Sequence, residues 1–180
     1  MNDHMHVINF WFAETEEKQW FVKDPEFDDL LRRDFGVLHQ QAMSCELYFW
    51  RHTAFGRLAE IILLDQFSRN IYRDTPMAFT ADALALALAQ EAVQQKADED
   101  LAPNHKTFLY LPYMHSESLA IHEVAMQLFA QPGLEDNFKY EQQHRAILEK
   151  FGRYPHRNEI LGRVSSQEEL AFLQEPGSSF

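Results

Sequence analysis

One cysteine, Cys45, stands in the 180-residue chain, so an internal disulfide and a cysteine-based zinc site are both excluded. It falls in a predicted helical stretch among apolar neighbours and reads as a buried, inert thiol. Basic residues are few: 16 Lys and Arg stand against 28 Asp and Glu, for a net charge of -12. That balance disfavours nonspecific binding to nucleic acid or to an anionic membrane. The apolar run from Leu58 to Leu64 is far short of the roughly 20 residues needed to cross a bilayer. The opening MNDHMHVINFWFAETEEKQWF has acidic and polar breaks where an export signal has a basic start and an apolar core. A soluble cytoplasmic protein without nucleic-acid or membrane partners is the expectation.

Other absences narrow the chemistry. Strands are not indicated, because no segment sustains a two-residue alternation enriched in β-branched residues. There is no glycine-rich phosphate loop, nucleophile elbow, HExxH motif or calcium loop. A repeat at a fixed thirty-four-residue period is also missing. No cofactor is expected, and nothing in the chain requires catalysis.

What is abundant is large apolar surface. Hydrophobic residues make up 46% of the chain, with fifteen Phe and three Trp, enough to form a core without a metal or disulfide staple. An aromatic-rich element over residues 5–12 is expected to pack as a lid. Asp24-Pro25 signals a helix start, because Asp accepts free amides and Pro lacks the donor that the first position cannot use. That helix either pauses near Gly36 or runs on toward Trp50. Residues 53–70 are apolar nearly all round, as a central helix is.

Thr75-Pro76 opens the next element, and Pro103 and Pro112 punctuate a shorter one. Ser116 is the expected cap of a helix reaching about Gln131. A helix containing Phe138 and Phe151 is ended by Gly152 and Pro155. Ser165 and Ser166 precede Glu168 and Glu169 at capping-box spacing, so a final short helix is expected to hold Leu170 and Leu173. The fold class that follows is all-α: antiparallel hairpins of about seven to nine helices in one domain, residues 1–175, with a loose tail over 176–180.

Polar residues gather at a few places. Asp65 shares a helical face with Leu58, Ile61 and Ile62, so its carboxylate needs a partner or a proton. Arg69 lies four residues on, and Arg73 repeats the spacing. Either an Asp65–Arg69 pair pins the helix end, or one arginine faces a cleft to grip a carboxylate or phosphate. Asn70 serves loop carbonyls in both cases.

His115 and Glu117 flank the expected cap and are candidates for acid–base or metal chemistry, against plain capping and packing. Glu141 and His144 have the three-residue spacing of di-metal bundles but lack the second motif those sites need, so no metal is assigned. His144 reads as a core-edge histidine, with a mononuclear site beside His115 and Asp65 as the alternative. The turn Phe151-Gly-Arg-Tyr-Pro-His-Arg-Asn158 carries Arg153, His156, Arg157 and Asn158. It lies in a segment, Lys139 to Arg163, with six basic and three acidic residues, where an anion cradle and internal ion pairing are the competing readings.

The chain resembles the DUF924 family, bacterial-type proteins of unknown function with a tetratricopeptide-like helical fold. The resemblance rests on FWF with Trp20-Phe21, LLDQFSRNIYRDTPMAFTAD, LYLPYMHSE and HRAILEKFGRYPHRNEILGRVSSQEELAFL. It implies a compact tetratricopeptide-like superhelical domain, and it supplies no substrate. Two functional classes remain. One is a binding or structural protein receiving a peptide, a protein or a small anionic ligand through Asp65, Arg69, Asn70, Arg73, Arg153, Arg157 and Asn158. The other is a small-molecule enzyme in which His115, Glu117, His144 or His156 moves a proton.

Overall fold

Capping chemistry places several of the helices. In the computed structural model, which describes residues 4–180, Asp24 accepts the amide hydrogens of Glu26 and Phe27 at 3.0 and 3.3 Å. Pro25 then takes the first helical position. The α-helical segments are α1 (His4–Asn9), α2 (Pro25–Met43), α3 (Ala54–Ile62), α4 (Ser68–Ile71), α5 (Asp82–Gln94), α6 (Pro103–Met114), α7 (Leu119–Phe129), α8 (Glu135–Phe151) and α9 (Gln167–Phe172). A π segment over Leu63–Phe67 joins α3 and α4 into one continuous helix, and α1 runs on through a π segment over Phe10–Glu14. No strand occurs among the described residues. The first three residues of the expected 1–175 domain lie outside them.

The joined α3–α4 helix is the axis of the molecule. Every residue from Leu58 to Ser68 is buried, as an all-round apolar pattern requires. α1 and α2 pack on it from the amino-terminal side, α5 and α6 pack against α3, and α6, α7 and α8 follow in succession. The result is a series of antiparallel hairpins in a compact, helical-repeat-like domain. One buried charge on the axis, Glu60, is met by two bonds from Arg51 at 2.7 and 2.6 Å.

Several expectations are corrected. Residues 5–12 do not form a lid, because Val7 and Trp11 are fully buried and α1 lies against α3. The aromatic rings of Phe10, Trp11 and Phe67 interlock there at centroid distances of 5.3 to 6.3 Å, so burial outweighs the polar breaks around them. α2 passes Gly36 without a pause. Cys45 is exposed: α2 ends at Met43, and Cys45 turns the chain at φ 57°.

Thr75-Pro76 leads into a short 3-10 turn, Pro76–Phe79, and the true helix waits until Asp82. Pro112 lies inside α6. Ser118, not Ser116, precedes α7, and its side chain makes no cap bond. Of the two pairs with capping-box spacing, Ser166 and Glu169 form the box, with bonds of 3.1 and 2.7 Å.

Two helical glycines differ sharply in their surroundings. A Cβ on Gly56 would overlap the Trp50 carbonyl oxygen and lie 2.8 Å from its carbon, whereas a Cβ on Gly36 would meet nothing. Gly56→Ala is therefore expected to destabilise the fold by about 2 kcal/mol, and Gly36→Ala to stabilise it by roughly 0.5–1 kcal/mol. Denaturant midpoints of the two variants check this, and like signs would contradict it.

Candidate functional site

The site begins in the π segment. π turns often interrupt helices at functional positions, and this one carries Asp65 and Gln66 on the buried axis. Its carbonyls are served by side chains a turn further on: Ser68 Oγ donates to Leu64 O at 2.6 Å and Arg69 Nη1 to Asp65 O at 3.0 Å. Asp65 is wholly buried. Its Oδ1 lies 2.7 Å from His115 Nδ1 and 3.1 Å from Arg69 Nη1, and its Oδ2 accepts from Gln66 Nε2 at 2.6 Å. Burial alone would raise its pKa. The charges and hydrogen bonds of these neighbours outweigh burial and hold it well below the usual carboxylate range.

His115 ends α6 and is held by that bond. Burial first, and then Arg69, push its pKa down against the pull of Asp65. It therefore stays neutral at neutral pH, with Nδ1–H donated to Asp65 and the Nε2 lone pair left for the cavity.

Arg69 reaches further. Its two terminal nitrogens donate to both oxygens of Asp82 at 2.9 and 3.0 Å. Asp82 opens α5, where a negative charge also suits the helix dipole. From the far end of the chain, Arg157 comes within 3.5 Å of the same carboxylate and donates Nη2 to His115 O at 2.9 Å. Its guanidinium lies 4.7 Å from the Phe79 ring centre and 4.7 Å from that of Tyr154. Its Nε has no partner. Burial, with Arg69 nearby, lowers its pKa. The two polar clusters of the sequence thus meet at Asp82.

These groups border a cavity of about 720 Å³. Arg69, Asn70, Arg73, His115, His144 and Arg157 line it, with Gln66 and His156, and Leu111, Met114 and Phe79 give it apolar walls. Asp65 sits behind His115. Arg73 lines the cavity but is tied to Asp28 by bonds of 2.5 and 2.8 Å, and Asn70 donates to the same carboxylate at 2.8 Å.

Three candidates lie elsewhere. Arg153 donates twice to Glu169, at 2.7 and 2.8 Å. Asn158 is fully buried between Ser165 and Arg163. Glu117 accepts the Tyr154 amide at 2.6 Å and both terminal nitrogens of Arg163 at 2.7 and 2.9 Å, so it shapes the turn that delivers Arg157.

Internal pairing therefore accounts for Lys139, Arg145, Arg153 and Arg163 of the basic segment. Exposed Lys150 lies over the Phe151 and Phe172 rings, and Arg157 is the buried cation left incompletely met. Glu141 turns away from the cavity to a buried bond with His122 at 2.6 Å. Among the described residues no three His, Cys, Asp or Glu side chains group as a metal site, so the alternative of His144 joining His115 and Asp65 around an ion is not met. No described helix is long and apolar enough to cross a membrane.

The family of bacterial proteins of unknown function designated DUF924 matches residues 7–177. The chain belongs to the DUF924 family. A solved structure of a protein of unknown function from Agrobacterium tumefaciens is 34% identical to it, with a TM-score of 0.86 over 95% of this chain and 96% of that one. No curated protein matches it. For this DUF924 chain the fold is thereby placed, and the chemistry has to be read from the cavity.

Asp82, Asp28, Phe79 and His122 were not singled out by sequence. Asp82 left one signal, an acid at the start of an alanine-rich helix, but helix starts commonly carry one.

Burial pushes His144 down to about 3, even though its Nδ1 donates to Tyr140 O at 2.7 Å, and it pushes His156 down to about 3 as well. In the unfolded chain each histidine titrates near 6.5, so below that pH unfolding takes up protons that the folded state refuses. Stability is then expected to fall as pH drops from about 6.5 toward 3, at up to about 1.4 kcal/mol per pH unit for each such histidine. Urea midpoints between pH 6.5 and 5.5, above the range where ordinary carboxylates protonate, should decline less steeply in His144→Gln than in the parent. Parallel slopes would show that His144 charges freely in the fold.

Proposed function

We propose that this protein binds a small organic anion, a carboxylate or phosphate on an apolar body, in the cavity beside Arg157. The observation that carries this reading is the state of that guanidinium. Arg157 is 5% exposed, has an unpartnered Nε and approaches its nearest carboxylate only to 3.5 Å. Arg69, by contrast, is fully engaged by two carboxylates. A buried cation that is only partly neutralised gains most from an incoming anion. The apolar walls suit the rest of such a ligand.

Neutral His115 adds a pH signature. An anion beside it raises its affinity for protons, so binding takes up protons and tightens as pH falls from 7 toward 5.5. Calorimetry with inorganic phosphate and with propionate, in buffers of different ionisation enthalpy, measures both quantities. Arg157→Gln should weaken binding at least about tenfold, the size of one lost charge-assisted hydrogen bond. Arg145→Gln, outside the cavity and away from the turn that carries Arg157, should leave it unchanged. Equal affinity in parent and Arg157→Gln would sink the assignment.

One observation favours a second reading, catalysis. A buried carboxylate that orients Nδ1–H of a neutral histidine leaves Nε2 as a general base toward the cavity, and Asp65 and His115 are so arranged. In this reading a ligand retained through purification changes mass on incubation with the protein, and His115→Gln stops the change while keeping the affinity. Native mass spectrometry follows both. A ligand returned unaltered by the parent protein would leave binding as the function.

A further inference from the structure

The chain supplies an aromatic ring to its own cavity. After α9 the backbone turns at Gly177 (φ 78°), Ser178 Oγ donates to Leu173 O at 3.2 Å, and Ser179 and Phe180 come back to line the cavity wall. The Phe180 ring lies 3.8 Å from the His144 ring centre, 4.5 Å from that of His156 and 5.1 Å from that of Tyr154. All three of those rings belong to the elements around the cavity, and two of them, His144 and His156, line it. None belongs to α9, the helix that leads into the tail.

Phe180 is nevertheless 51% exposed. A ring held on one face and bare on the other has much less apolar area to lose on leaving than a core phenylalanine does. His144 and Tyr154, by contrast, are fixed from behind. His144 donates to Tyr140 O, the Tyr154 hydroxyl donates to Met114 O at 2.5 Å, and the Tyr154 amide is held by Glu117. The place for a flat ring is therefore built into rigid elements, and its present occupant sits on the segment that follows the Gly177 turn.

The same Tyr154 ring connects this place to the anion site. Arg157 Cζ is 4.7 Å from its centre and the Phe180 ring 5.1 Å, and those two legs bound the distance between guanidinium and ring. A molecule with an aryl group separated from a carboxylate by a short chain spans that distance. Stacking of a ring on imidazole and phenol, together with a carboxylate on the guanidinium, uses both features at once.

We propose that the ligand is an aryl-bearing carboxylate whose ring takes the place of the Phe180 ring, with the tail segment 177–180 competing for that place. The inference rests on the anion-binding reading above and adds the ligand class and an internal competitor. Competition lowers apparent affinity by the fraction of molecules whose site is open. Removing the ring therefore tightens binding of aryl ligands and leaves short-chain anions unaffected.

The test titrates 3-phenylpropionate, propionate and 3-phenylpropanamide into the full chain and into Phe180→Ala, with thermal midpoints confirming that both are folded. The expected result is that 3-phenylpropionate binds Phe180→Ala about tenfold tighter than the parent, as for a tail that fills the place some nine-tenths of the time. Propionate should bind both equally and more weakly. If 3-phenylpropionate and propionate bind alike in both proteins, the aromatic place is overturned while the anion site stands. If the neutral amide binds as tightly as the acid, the ring site stands and the anion reading fails. Binding of none of the three overturns both.

The tail itself is checked by the imidazole proton resonances of His144 and His156. Phe180→Ala should shift them by removing the ring current, and unchanged resonances would overturn the competition.

Discussion

A carboxylate with no water around it cannot stay charged without partners, and Asp65 is such a carboxylate. Its requirement organises the centre of this molecule. Gln66 satisfies one oxygen from within the π segment, while Arg69 and His115 share the other. Arg69 extends the network to Asp82 at the start of α5, and Asp82 lies close to Arg157 from the turn after α8. Four regions distant in sequence thus converge through one network of alternating charges. If Asp65 were apolar, His115 Nδ1 would lose its acceptor, and Arg69 would lose one of its two carboxylates.

The network is neutralised unevenly along its length. Toward α2, Arg73 and Asn70 close on Asp28 without remainder, and the turn after α8 is tied down by Arg153 with Glu169 and by Arg163 with Glu117. These closed pairs give rigidity and little affinity for anything else. At the cavity the closure is incomplete, because Arg69 already takes both oxygens of Asp82 and Arg157 is left with a longer contact and a bare Nε. The three histidines beside it are kept neutral by burial. The cavity therefore combines a partly compensated cation with groups able to accept a proton, and this pairing is what supports the proposed anion ligand.

The aromatic content serves two ends. Most of it builds the main core, where Trp11, Phe35 and Phe67 interlock against the central helix. A smaller apolar cluster, Ile147, Leu148 and Tyr154, forms beyond α7. Tyr154 belongs to that cluster and also contacts Arg157 and Phe180. Its hydroxyl is pinned to Met114 O at the end of α6. Tyr154 therefore links the core to the wall of the site.

Local rules determined much of the fold from the sequence alone. The stop and start signals at Asp24-Pro25, Gly152 and Ser166-Glu169 act over one helical turn, and all three operate as read. The all-round apolar pattern of residues 53–70 could only be satisfied at the centre. The pairing of Asp65 with Arg69 was legible for the same reason, since four residues span one turn. What the sequence could not decide was every pairing across helices: Arg73 with Asp28, Glu117 with Arg163, His122 with Glu141, and both arginines with Asp82. Short-range spacing carries no information about which helix faces which. It also could not place Cys45, whose exposure follows from where α2 stops, or the Phe180 ring, whose neighbours lie up to 36 residues away in sequence. Propensity and capping are properties of a few adjacent residues, so sequence states them. Convergence of Asp65, Asp82, His115 and Arg157 depends on how helices stack, and only the packed chain brings those four side chains together.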